Sequence, residues 1–298
     1  MFIIFIALLA SAFYALATII DSRLSNYEFN RVPTIVFFFS SISIIFLPIY
    51  LLFGKIPAFD LKILPYVLLY GFINIFYLFP YYHAMRKIDT SIINSMFSLG
   101  YIFIPIFAYI FLNDTFSINQ LIGCAIILIF NIILNLEDKT KIKLNSAFFI
   151  MLFTVFLTSI SSIVEKQALN SFNWVGFIFY SAIVSILISL SFILFKKNRE
   201  DIFANIKNFK KTFHLFLFDE MFTFFGNIAG AYALSHLAVI QNKAISSSQP
   251  FFVLFYTFML GRLFGIKFKE KYDKKNIIKK LICFCAIIVG IIMVVKTN

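Results

Sequence analysis

Charge is scarce in this sequence. Only 13% of its 298 residues are Asp, Glu, Lys or Arg, and just 14 are acidic, whereas an ordinary soluble domain devotes about a quarter of its residues to charge. With 61% hydrophobic residues and a mean hydropathy of +0.93, the chain has too little polar surface to cover a core, which excludes a soluble globular domain. Cysteine is rarer still. Cys124, Cys283 and Cys285 all fall inside apolar stretches, so neither a disulfide framework nor a zinc site is expected. His83, His214 and His236 lie far apart without ligand spacing, and no metal or other cofactor is expected. The sequence has no Walker motif, no Gly-rich nucleotide loop and no HExxH, which excludes a nucleotide-driven pump or zinc protease encoded in this chain.

What fills the chain instead is long apolar runs. Ten are read, at 2–20, 34–53, 63–85, 91–112, 118–136, 146–164, 174–195, 212–234, 239–260 and 277–295. Each approaches the 20 or so residues that a helix needs to cross a ~30 Å hydrocarbon core. Continuous runs do not alternate as barrel strands do, so the fold class is all-α integral membrane with ten transmembrane helices. The first run contains Ala10-Ser11-Ala12, an A-x-A site. It lacks a basic leader and stays apolar through Ile20, so it reads as a span and not as a signal peptide.

The net charge of +12 looks like a nucleic-acid signal until the basic residues are placed. Twenty-one of the 26 flank the odd-numbered connections, while Lys55, Lys62, Lys166 and Lys296 lie on the opposite side and Lys243 within a span. The bias is therefore an orientation signal and a contact for anionic lipid, with no nucleic-acid partner. By the positive-inside rule it places the odd connections in the cytoplasm and both termini outside. The polar stretch 196–211 is expected to form a short amphipathic surface helix.

The chain also repeats itself. Moving residues 65–111 forward by 149 places Ala84 on Ala233, Ser98 on Ser247 and Phe103 on Phe252. It also superimposes two tight hairpins, between runs three and four and between runs eight and nine. Two five-helix units follow, 1–136 and 146–298, joined by a polar linker at 137–145. The segment from Ala84 to Leu134 runs through an Ala, a polar turn at 87–90, Pro105 in mid-span, Asp114 in a short loop, and a helix opening with Gln120 and Gly123. This pattern resembles the EamA-type ten-helix transporters of the drug/metabolite transporter superfamily. The second copy repeats Ala233 and Pro250 but has a longer, basic loop without the acidic residue or the Gly. The resemblance implies inverted repeats, alternating access, and a central cavity lined by runs 1, 3, 4, 6, 8 and 9, with runs 5 and 10 at the periphery or a dimer contact. It also implies cytoplasmic termini, opposite to the charge count.

Strongly polar residues inside a span are costly unless they face a cavity or a partner, so each is a candidate for function. Asp219 and Glu220 are about two turns into the eighth run. Glu220, Thr223 and Asn227 share a face, and Asp219 points about 100° away. Glu220 is therefore expected to hold substrate or a coupled proton, with Asp219 in support; a structural ion pair with a neighbouring helix is the plainer account. Run three carries Tyr70, Asn74, Tyr77 and Tyr81 on one face, and aromatic hydroxyls opposite a carboxylate suit an amine through cation–π contact. Run nine carries Gln241, Asn242, Lys243 and Ser246 to Gln249 before Pro250, a residue that releases a backbone carbonyl and permits a hinge. Lys243 reads either as a ligand or as a snorkelling side chain. Asn94 and Ser98 belong to the matching part of run four. Tyr14 on run one and Thr158 on run six complete the candidate set. Asp21 and Glu165 end their runs, where a solvated carboxylate is the default.

These features favour a secondary transporter in a bacterial cytoplasmic membrane, not an enzyme, moving a small amine-bearing or amino-acid-like metabolite by proton coupling or exchange. Membrane lipid and the small-molecule substrate are the expected partners, with the chain a monomer or homodimer. The rivals are a lipophilic-cation or drug exporter and, from another class, a membrane-embedded enzyme or scaffold for lipid-linked substrates. The enzyme would need paired catalytic groups at the membrane surface, where only isolated candidates occur.

Overall fold

The structure is a computed structural model and describes residues 1–87, 93, 96–135, 146–264 and 274–296; the expected linker at 137–145 lies outside the described residues. Every regular element among them is helical. The main helices are α1 (Phe2–Arg23), α2 (Val32–Phe46), α3 (Leu64–Phe76), α4 (Leu78–Met85), α5 (Gly100–Leu112), α6 (Ile118–Asn135) and α7 (Ser146–Leu169). They continue with α8 (Trp174–Leu190), α9 (Lys196–Ala204), α10 (Ile206–His236), α11 (Val239–Ser246), α12 (Gln249–Phe264) and α13 (Lys274–Val295).

Five stretches are long and apolar enough to cross a membrane: Phe2–Glu28, Val32–Leu52, Leu61–Met85, Phe148–Leu169 and Trp174–Leu194. Shorter apolar helices cover Phe97–Leu112, Ile118–Ile133 and Ile282–Val295. Large apolar side chains such as Phe72, Ile106, Ile129 and Ile288 face outward, as lipid contact requires.

Local sequence sets the helix ends. Pro occupies the first turn of α2 and of α3, where its missing N–H costs nothing. Asn173 caps α8 by accepting from the Gly176 N–H at 3.0 Å. At the end of α5, Asn113 takes a left-handed conformation (φ 55°), and both its own N–H and that of Asp114 (3.2 Å) turn back to the Ala108 carbonyl, ending the helix. Ser117 and Gln120 then form a reciprocal capping box at the start of α6, with the Ser117 N–H to Gln120 Oε1 at 2.9 Å and the Gln120 N–H to Ser117 Oγ at 3.3 Å.

Two departures from the sequence reading matter for the site. α1 runs past Ile20 to Arg23 and continues in a π turn through Glu28, so Asp21 is not at a helix end. α10 begins at Ile206, six residues before the expected start, which puts Asp219 about 20 Å along the helix instead of about 12 Å. The polar stretch 196–211 divides between α9 and the start of α10. α9 is tied to the entry of α2 through Thr34 and Asp201, and through Arg31 to the Lys197 carbonyl (2.6 Å) and Asn198 Oδ1 (2.9 Å).

Packing in a bilayer depends on close fit more than on escape from water. α1 lies along α10, where Gly226 leaves room for the Tyr14 ring; a Cβ there would stand 2.8 Å from Tyr14 Cε1. α2 meets α10 through stacked Phe38 and Phe209 (centroids 4.2 Å apart) and edge-on Phe39 and Phe216 (4.7 Å), pairs of a kind worth about 0.5–1.5 kcal/mol each. α6 and α13 approach backbone to backbone: a Cβ on Gly123 would lie 2.8 Å from the Gly290 carbonyl oxygen.

Candidate functional site

The polar residues of the bundle converge on one cavity of about 430 Å³. Its walls come from α1, α2, α3, α4, α7, α8, α10, α11 and the α11–α12 break, with Asn131 added by α6 and Ser98 by the turn before α5. Glu220, Asp219, Thr223 and Asn227 line it from α10, Tyr70 and Asn74 from α3, and Tyr77 from the α3–α4 junction. Tyr14, Thr158, Lys243 and Ser247 line it as well. Two expected residues do not join them. Asn94 lies outside the described residues. Gln241 lies outside the cavity lining, because its side chain caps α11, accepting from the Ala238 N–H at 3.2 Å and donating to the Val295 carbonyl at 3.4 Å.

Adjacent residues on a helix point about 100° apart, yet Asp219 and Glu220 both border the cavity because it wraps around this face of α10. Glu220 accepts from Ser43 Oγ of α2 at 2.7 Å. Asp219 is only 4% exposed, and its Oδ1 has no hydrogen-bond partner. Neither carboxylate has an ion-pair partner among the described residues, so the structural ion pair considered above is not what holds them. A buried, half-satisfied carboxylate is expensive without a countercharge, which a ligand can supply.

The sequence reading missed two carboxylates. Asp21, placed in the interior by the π-turn extension of α1, accepts from the Tyr82 hydroxyl and from the Tyr81 hydroxyl at 3.3 Å. Glu165 on α7 also lines the cavity, with Tyr70. Each stands where the sequence reads as a solvated helix end, although Asp21 shares a helix face with Tyr14, seven residues away, and Glu165 with Thr158, also seven away. Ser43, a lone hydroxyl inside the second apolar run, gave no such signal.

Lys243 is a cavity residue with its Nζ 5.9 Å from the Phe97 ring centroid, and a Cβ on Gly100 would touch its Cε at 2.9 Å. The break before Pro250 is real: α11 stops at Ser246, α12 starts at Gln249, and the Ser248 N–H turns back to Ile245 at 3.0 Å. Ser98, which the 149-residue shift places on Ser247, lies in a 3-10 turn immediately before α5. Tyr101 Oη and Ser247 Oγ meet at 2.9 Å.

A second, smaller cavity of about 150 Å³ shares Tyr14, Tyr70, Glu165, Asn227 and Lys243 with the first. It continues toward Ala10, Gly230, Leu234 and Asn242, away from the basic ends of α4 and α10. Between the two, the Tyr14 hydroxyl donates to Asn227 Oδ1 at 2.8 Å. Among the described residues no three His, Cys, Asp or Glu side chains form a group that could hold a metal ion.

Comparison with known proteins agrees with this architecture. Residues 1–136 match the family described as the EamA-like transporter family. No curated protein matches the chain. A solved structure described only as the crystal structure of a protein superimposes with a TM-score of 0.63 at 12% identity, covering 98% of this chain and 94% of that one, a likeness of fold alone. The chain is an integral, multi-pass membrane protein whose residues 1–136 are similar to the EamA-like transporter family.

Proposed function

We propose that the protein is a secondary transporter that carries a small amine-bearing or amino-acid-like metabolite by alternating access. The observation that carries this reading is the mid-bundle cavity, in which Asp219 presents a buried carboxylate oxygen without a partner. An ammonium group is the chemistry that completes such an oxygen, and the Tyr70 and Tyr77 rings add cation–π attraction. Lys243, on the same wall system, suits the carboxylate of a zwitterion. Coupling follows if a cavity carboxyl group releases its proton as the amine arrives, the exchange that antiport requires.

Two inverted repeats of five helices, 1–136 and 146–298, supply the alternating motion in this reading. The packing supports it. Exchanging α1 with α7, α2 with α8, α3–α4 with α10, α5 with α11–α12 and α6 with α13 maps neighbours onto neighbours. The α1–α10 pair becomes α7 with α3–α4, α2–α10 becomes α8–α3, and α6–α13 maps onto itself. The two cavities divided at Tyr14 and Asn227 fit a bundle open toward its basic side and closed toward the other.

The test is counterflow in proteoliposomes preloaded with single members of a panel of amino acids and monoamines. A substrate should show saturable exchange that Glu220→Gln reduces at least about ten-fold, the size expected when an interaction of about 1.4 kcal/mol is lost. Non-saturating flux, or exchange unchanged when Glu220 and Lys243 are neutralised together, would overturn the reading. A lipophilic-cation exporter would instead transport broadly and ignore Lys243→Ala.

A further inference from the structure

The four carboxylates of the cavity fall into two groups, and three separate helical segments set the spacing between them. On α1, Tyr14 and Asp21 are seven residues apart; on α10, Asn227 and Glu220 are seven apart; along α3 and its junction with α4, Tyr70 and Tyr77 are seven apart. Seven helical residues rise about 10 Å. The first member of each pair belongs to one layer, where the Tyr14 hydroxyl meets Asn227 and where Tyr70 and Glu165 line both cavities. The second member belongs to another, where Asp21, Asp219 and Glu220 lie close enough to repel one another and are approached by Ser43, Tyr81 and Tyr82. Tyr14, Tyr70 and Glu165 border both cavities, whereas Asp21, Asp219 and Glu220 border only the larger. One pole thus holds three carboxylates and the other holds one, with tyrosine rings along the space between.

We propose that this cavity is a two-pole site for an unbranched dication, a ligand with ammonium groups at both ends of an alkyl chain. One ammonium group takes the unpartnered Asp219 oxygen, in the field of Asp21 and Glu220, and the other takes Glu165 beside Tyr70. This rests on the transporter reading above and narrows its substrate class. Two sources share the chemistry: a free α,ω-diamine, and a dibasic amino acid whose carboxylate Lys243 would hold. Two-point attachment raises affinity because the second contact forms at high effective concentration once the first is made.

The experiment is thermal stabilisation of the purified full-length chain titrated with cadaverine, putrescine, n-pentylamine and lysine. Cadaverine or putrescine should bind at least about ten-fold tighter than n-pentylamine. Asp219→Asn and Glu165→Gln should each bring the diamine down to the monoamine level, with Asp21→Asn replacing Asp219→Asn if that variant melts unliganded far below the parent. Lysine binding tighter than the diamines, with the advantage lost in Lys243→Ala, identifies the dibasic amino acid; the reverse order identifies the free diamine. Equal binding of diamine and monoamine, or diamine binding unmoved by Glu165→Gln, overturns the two-pole site and leaves the amine transporter standing. Failure of all four probes, together with saturable counterflow of another amine, likewise refutes the dication alone. Failure of every amine in both assays removes the transporter reading as well.

Discussion

Replacing Gly123 by alanine tests the packing logic of the bundle directly. The added Cβ would lie 2.8 Å from the Gly290 carbonyl oxygen and 3.0 Å from Met293 Cβ. Comfortable C···O contact begins near 3.3 Å, so the substitution is about 0.5 Å too close to a backbone atom that no rotamer change can move. α6 and α13 must separate, and overpacking of this kind costs about 1–3 kcal/mol. At roughly 2–4 °C per kcal/mol for chains of comparable size, the detergent-solubilised protein should melt several degrees lower. Gly290→Ala meets the Gly123 carbonyl oxygen at 2.9 Å and should cost a similar amount. The double variant should cost less than the sum, because one separation relieves both clashes. Gly100→Ala is the contrasting case. Its Cβ would stand 2.9 Å from Lys243 Cε, the far end of a side chain that can swing aside, so the melting temperature should barely move. Unchanged melting of Gly123→Ala, or a larger loss for Gly100→Ala, would refute the argument.

Gly100→Ala should instead alter transport, since the displaced Lys243 is part of the cavity wall; the ratio of KM to parent KM in counterflow reads this. Tyr14→Phe removes the hydrogen bond to Asn227 that divides the two cavities, and should change exchange rate with little change in ligand-free melting, whereas loss of folding would show a structural role only. Arg86 donates to the carbonyls of Ser25 (3.0 Å), Asn30 (2.6 Å) and Phe29 (3.1 Å), clamping the turn between α1 and α2; Arg86→Ala should destabilise by about 2 kcal/mol, after allowing for its partial exposure, seen as a lower melting temperature at unchanged cooperativity. Burial raises the Asp114 carboxyl above its ordinary 3.8, partly offset by Lys166. Its folded form therefore holds the proton more tightly, and its contribution to stability is greatest below pH 3.8 and falls as pH rises through the folded value. Asp114→Asn should remove that slope from the acid limb of a melting-versus-pH curve, and an unchanged slope would contradict the assignment.

Runs of apolar residues carry one kind of information and isolated polar residues another, and the two were legible to different degrees. The helices were readable because a membrane span must be continuous and apolar, and the break before Pro250 was readable because proline cannot continue the backbone ladder. The ends were not. A π turn past Arg23 carries Asp21 into the interior, and no apolar signal marks that turn, since Ser22, Arg23, Ser25 and Asn26 would equally begin a loop. For the same reason the reading placed one acidic pole where the structure has two groups: Asp219 and Glu220 stood out against Phe and Leu neighbours, while Asp21 and Glu165 were hidden by their nearness to polar sequence. Gln241 erred in the opposite direction. It follows the α10–α11 hairpin as Gln120 follows Ser117, and both serve helix ends, each donating to a carbonyl at the end of α13. Polarity inside an apolar run therefore located the cavity, but whether a given polar side chain serves the ligand or the backbone depended on where its helix begins, which a few residues of cap and turn decide.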